Sequence, residues 1–323
     1  MLRGSRLLLP RLPRHCVIPQ LSAFRSNSPN HQGGKQKASQ FHHSTIALTI
    51  ELSSKAAKMT SPIAKRQRTS PSSQPYELYY WPGMPGRGEH VRLAFEEAGV
   101  TYKDVSNETK DGFKMVVEQI SDKNTGEGSN PPPLAPPILR HGDLLVSQTP
   151  NILLYLGPQL DLVPSREQDP NGIFHVNSLT LTALDGLSNE THDTHHPIAI
   201  NLYYEDQKEE AKRKVTDYIE NRLPKFLRYF EHVLKSEASK GGEWLYGGNL
   251  TYADLVLFQT IDGVQFAFPK AMGNLQKSKK YNGVFGLVDR VRNRDNIKEY
   301  LASDRRQPYN MGIYRHYPEL DAE

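Results

Sequence analysis

PYELYYWPGMPGRGEHVRLAFEEAG, residues 75–99, is the stretch on which the fold turns. It opens with Glu77-Leu78-Tyr79-Tyr80, a short β-prone run that reads as a strand over 77–80. Pro82-Gly83-Met84-Pro85-Gly86 then interrupts regular structure, because proline lacks an N–H and glycine favours turns. From Arg87 to Ala98 the apolar residues Val91, Leu93, Ala94, Phe95 and Ala98 recur at helical spacing, and Gly99 is placed to stop the helix. Strand, loop and helix in immediate succession open an α/β unit.

Downstream, a second strand is predicted around 101–105 and a weaker helix around 112–120. A loop with Gly126, Gly128 and three consecutive prolines follows. Strands at 137–140 and 143–146 flank a His141-Gly142 turn and form a hairpin, and a helix starts at Pro150 and reaches about Tyr155. The order β-α-β-α-β-β-α thus fills residues 76–160. After Gly157 and a linker near Pro164, helical patterns at 173–190, 206–237, 251–266, 281–292 and 295–303 make 165–323 an all-α region. No internal repeat is found.

Upstream the composition changes. Residues 1–75 hold twelve Lys or Arg and one acid, Glu51, so this tail carries more positive charge than the whole chain's +4 and the remainder is net acidic. The basic pI therefore gives no reason to expect nucleic-acid binding by the folded part. The first fifty residues contain no Asp or Glu, with Arg3, Arg6, Arg11, Arg14 and Arg25 set among leucines and serines. That is the composition of a mitochondrial transit peptide. A disordered leader, or sequence upstream of a start at Met59, are the other readings, and under them the protein is expected in the cytoplasm. Residues 1–75 are accordingly expected as a disordered leader. The single cysteine, Cys16, lies there, which leaves the folded region without a thiol nucleophile or a cysteine-based zinc site. No run of about 18 apolar residues suggests a membrane span.

Three segments in order carry a resemblance: 75–99 above, APPILRHGDLLVSQTPNILLYLG at 135–157, and LTYADLVLF at 250–258. Together they resemble the tyrosine-type cytosolic glutathione transferases, pi- and sigma-like classes among them, over about 76–310. The resemblance implies an α+β chain: a thioredoxin-like N-terminal domain (βαβαββα, 76–160) followed by an all-α helical bundle (165–323). It implies glutathione as co-substrate with no permanently bound cofactor, a small hydrophobic electrophile as second substrate, and a homodimer. By the same resemblance Tyr80 is the catalytic residue that stabilises the glutathione thiolate. The loop after it is one residue longer than in the pi-class pattern, so Tyr79 remains a rival. Trp81 and Arg87 would line the site and Pro137 would be a cis-proline. Pro136 would meet the cysteinyl part of glutathione. Having no N–H, it either forfeits one ligand hydrogen bond, about 0.5–1.5 kcal/mol, or signals a register shifted by one. Gln148 and Thr149 would hydrogen-bond the α-carboxylate and amine, and Asp185 would reach the γ-glutamyl group of a neighbouring subunit.

Several of these positions also read physically. Thr149-Pro150 is a helix start, the threonine as N-cap and the proline at the first turn, and a helix N-terminus suits a carboxylate. Thr251 with Asp254 reads as a capping box, and Arg92 as an interdomain ion pair. His192, His195 and His196 have spacings that could set imidazoles on one helical face. No second ligand group is identifiable and Pro197 ends the helix, so a polar rim to the second-substrate pocket is expected and a metal centre is not. Two rival functions stand. One is a non-catalytic binding or association module, which Pro136 favours. The other is an isomerase or peroxidase that uses glutathione.

Overall fold

A computed structural model describes residues 74–321. The readings made for the leader, including the transit peptide and Cys16, lie outside these residues. Strand β1 (Tyr76–Tyr79) pairs in parallel with β2 (Tyr102–Asp104) and antiparallel with β3 (Ile138–His141), which pairs antiparallel with β4 (Leu144–Ser147). The sheet order is β2-β1-β3-β4. Alternation along β1 sends Tyr76 and Leu78 into the main core, and Tyr79 to a second apolar cluster with Val105, Val116 and Ile138. Between the strands lie α1 (Glu89–Ala98), closed by Gly99 at φ +64°, one-turn α2 (Val105–Glu108) and α3 (Gly112–Gln119). Helix α4 (Thr149–Gln159) completes this part.

The strand boundaries differ from expectation by one residue. β1 stops at Tyr79, leaving Tyr80 just beyond it. The hairpin turns at Gly142-Asp143, His141 facing Leu144 across it, because Gly142 supplies the positive φ of +62°. Helix α2 was not anticipated.

Residues beyond α4 are helical. α5 (Gly172–Leu181) continues through a π-type stretch, Thr182–Ser188, into α6 (Asn189–Asp193). α7 (Lys208–Asp217) likewise continues through Tyr218–Arg222 into α8 (Leu223–Leu234). α9 (Tyr252–Ala267), α10 (Pro269–Lys277), α11 (Asn282–Arg292) and α12 (Asp295–Leu301) follow. α9 is the hub, almost wholly buried and packed against α1, α5, α10 and α11. The expected capping box starts it: Asp254 accepts from the N–H and the hydroxyl of Thr251, and from the Leu245 N–H, each at 2.8 Å. Among the described residues no helix is long and apolar enough to cross a membrane. The architecture is a thioredoxin-like α/β part joined to an all-helical part.

Helix α1 joins the two, packing on α9 and α12. Arg92, fully buried, donates to Asp104 (2.6 Å), to Glu89 (3.1 Å) and to the Pro85 carbonyl (3.2 Å). Its own ion pairs stay within the α/β part. Glu89 makes the buried crossing, accepting from the Tyr300 hydroxyl at 2.7 Å and pairing with Arg306, and Glu96 and Glu97 pair with Arg305 and Arg294 nearer the surface.

Candidate functional site

The sheet register assembles the site. Tyr79 pairs with Ile138, and Ile138 with Ser147. One step further along each chain brings Tyr80, Pro137 and Gln148 side by side at one end of three adjacent strands. The Pro136-Pro137 peptide is cis, as expected for Pro137. Pro136 is buried and has a carbonyl but no N–H to offer.

Tyr80 is only 5% exposed because the turn Gly86–Gly88 lies on it. A Cβ at Gly86 would stand 2.2 Å from the Tyr80 hydroxyl, and one at Gly88 2.6 Å from its ring, so only glycine admits this packing. The Arg87 backbone N–H donates to the hydroxyl at 2.8 Å. That bond occupies a lone pair and leaves the phenolic proton free to donate. Burial pushes the Tyr80 pKa up, while the Arg87 amide and the Arg87 and Arg92 cations pull the other way. The net effect is upward, so at neutral pH the group is a protonated donor. The Arg92 guanidinium is 5.8 Å from the ring centroid. Tyr79 faces the other side of the sheet, its hydroxyl donating to Glu77 at 3.1 Å.

The Arg87 side chain reaches across to Asn189 of α6. Sequence reading passed over Asn189, since a lone asparagine on a helix carries no signal until a partner is brought to it. Trp81 is half-buried on the second apolar cluster, with its ring 5.8 Å from that of Phe113.

The head of α4 differs from expectation. Gln148, not Thr149, is the N-cap residue, and it makes no side-chain capping bond. Its backbone is held at φ +73°, ψ 118°, a conformation that costs a non-glycine residue about 1–3 kcal/mol and gathers at functional sites. Thr149 is the first helical residue, 2% exposed, and its hydroxyl oxygen has no hydrogen-bond partner within the protein. A strained, exposed Gln148 and an unmet hydroxyl therefore stand where helix N–H groups and dipole attract an anion.

Asp185 is exposed within Thr182–Ser188, and no contact among the described residues of this chain joins it to Tyr80, Arg87 or Thr149. α6 ends at Asp193, so His195 and His196 lie on the turn beyond the helix rather than on its face. The three imidazoles still meet, with ring centroids 4.9–5.0 Å apart.

Known proteins resemble this chain in sequence and in fold. Residues 192–304 match the family described as "Glutathione S-transferase, C-terminal domain". The chain is 27% identical over 236 residues to a glutathione S-transferase of Plasmodium falciparum, covering 72% of this chain and 97% of that one. It is 25% identical over 231 residues to glutathione S-transferase P 1 of Xenopus laevis, covering 72% and 92%. The pi-class glutathione S-transferase structure from Onchocerca volvulus superposes with a TM-score of 0.51 at 22% identity, over 70% of this chain and 91% of that one. In sequence and in fold the chain resembles the glutathione S-transferases.

Proposed function

We propose that this chain, built like a glutathione S-transferase, conjugates the glutathione thiolate to small hydrophobic electrophiles. The observation that carries the reading is the row of strand ends. It sets a protonated tyrosine beside a cis-proline and a helix start with an unmet hydroxyl. Gln148, Thr149 and the α4 N-terminus would hold the γ-glutamyl carboxylate and amine. The Pro136 carbonyl would accept the cysteinyl N–H without a donor to return, and Trp81 and Arg87 would line the pocket. In a homodimer, Asp185 would add a contact to the partner's γ-glutamyl group.

A free thiol with pKa about 8.5 is only a few per cent thiolate at neutral pH. A hydrogen bond from Tyr80 favours thiolate over thiol, and the Arg87 cation adds to it. The thiol proton leaves to solvent. A sulfur lone pair then forms the C–S bond, and any displaced group departs with its bonding electrons. Tyr80 keeps its proton throughout.

Retention of the full chain on immobilised glutathione, followed by turnover of a reactive aryl halide, tests this reading. Retention with turnover is expected, and absence of retention would contradict it. A binding module without turnover is the second reading. It is favoured by the missing Pro136 N–H and by the turn that covers Tyr80, and retention without turnover would establish it. Residues 1–58 are proposed to direct mitochondrial import. A reporter fused to them should enter mitochondria, and one left diffuse in the cytosol would remove the claim.

A further inference from the structure

His192, His195 and His196 form a cluster that the proposed transferase chemistry does not use. Each offers a ring nitrogen, and the three nitrogens lie within 4.8 Å of one another. We propose that these three histidines bind one divalent transition-metal ion of the zinc class, leaving a coordination position open for water.

His195 is the strongest sign. It is 2% exposed and its Nε2 has no partner in the protein, an arrangement that is costly for a buried polar atom and relieved by a metal. The rings on either side have groups behind them. His192 Nδ1 faces the Asp193 carboxylate at 4.0 Å. His196 Nδ1 lies 3.3 Å from Nε2 of the buried Gln207, which also donates to the Ala199 and Leu202 carbonyls and so holds that side of the ring in place. Groups behind ligand histidines limit how far the rings can turn, and a small rotation of His192 would bring its Nδ1 within hydrogen-bond reach of Asp193.

Zinc–nitrogen bonds of about 2.0–2.1 Å bring tetrahedral donors roughly 3.4 Å apart. Modest ring rotations would close the present spacing, and His192, with its side chain 22% exposed, has room to make one. An all-imidazole set suits zinc, copper, nickel or cobalt and not calcium or magnesium, which prefer oxygen. The site sits one helical turn from Asn189, the residue that holds Arg87.

The test is titration of chelator-treated full chain with Zn²⁺ by calorimetry, and with Co²⁺ by its visible absorption. Cys16 and the histidines upstream of residue 74 also take metals, so the readout is the difference between wild type and variants. One equivalent should be lost, or weakened more than about 100-fold, in His192→Asn and His195→Asn. Asp193→Asn should weaken it by about 10–100-fold, as changes behind a ligand do. Should the buried His195 variant fail to fold, the half-buried His192 variant decides. A wild type that binds no ion, or a His192→Asn chain that keeps the wild-type equivalent at full affinity, overturns the proposal.

Discussion

Removing the Thr149 hydroxyl should cost the folded protein no hydrogen bond, since that oxygen has no partner in it. Thr149→Val preserves the shape of the side chain. Its melting temperature is expected to be unchanged or raised, by up to about 1 kcal/mol of stability, while glutathione affinity by calorimetry falls. A loss of the roughly 1 kcal/mol that a helix cap contributes would show that the hydroxyl acts within the protein. His90 makes a second prediction. It is fully buried with neither ring nitrogen bonded. Burial first, then the Arg87 and Arg306 cations, lowers its pKa to about 3. Below pH 6.5 the unfolded chain therefore takes up a proton that the folded chain refuses, and stability falls with acidity by about 1.4 kcal/mol per pH unit. In denaturant melts His90→Leu should lack that slope, gaining about 2 kcal/mol on wild type between pH 7 and pH 5; parallel pH profiles would contradict it. The placing of Tyr80 just past a strand end and of Arg87 in the turn before α1 was legible in the sequence, because the two bracket a proline-rich loop. Asn189 and His90 were not, because each matters through a tertiary neighbour. The cap was misread because Gln148 adopts a positive φ that glutamine seldom takes.

At the scale of the element, α9 organises the helical part, and its start rests on one carboxylate. Asp254→Ala leaves the N–H groups of Leu245 and Thr251 without their acceptor, in a fully buried place. A loss of about 3 kcal/mol is expected from hydrogen bonds to a charged group. Chemical denaturation measures it, and a loss below about 1 kcal/mol would mean that packing alone holds the helix start. This box could be read directly from Thr251 and Asp254, as α1 and α11 could from their apolar spacing. The hairpin was read one residue early, since His141-Gly142 and Gly142-Asp143 are both plausible turns until a partner strand fixes the pairing. α10 escaped notice because Gly273 and its many polar residues blur the helical period. The π-type stretches inside α5–α6 and α7–α8 have no local sequence cue.

The whole molecule depends on the α1 junction, where the buried Glu89 carboxylate binds Arg92 on one side and Tyr300 and Arg306 on the other. Glu89→Gln removes one of the two carboxylates that face each of these guanidiniums, leaving Asp104 with Arg92 and Asp262 with Arg306. A loss of about 1.5–3 kcal/mol is expected from weakened hydrogen bonds to a charged group, measured by denaturant unfolding; a change within about 0.5 kcal/mol would show that the junction does not rely on this carboxylate. The order of α/β and helical parts was plain from periodicity. How α1 serves both was not, because Arg92 looked like the bridging residue, whereas the ion pairs that cross come from Glu89, Glu96 and Glu97. The central claim is that the hydroxyl presented beneath the Gly86–Gly88 turn activates a thiol. Thiolate absorbance of bound glutathione against pH, in wild type, Tyr80→Phe and Tyr79→Phe, tests it most directly. Tyr80→Phe should raise the apparent thiol pKa by one to two units, about 1.4–2.7 kcal/mol or roughly ten- to hundredfold in rate, with affinity nearly intact and Tyr79→Phe like wild type. An unshifted thiol pKa in Tyr80→Phe, or a shift confined to Tyr79→Phe, would contradict the account.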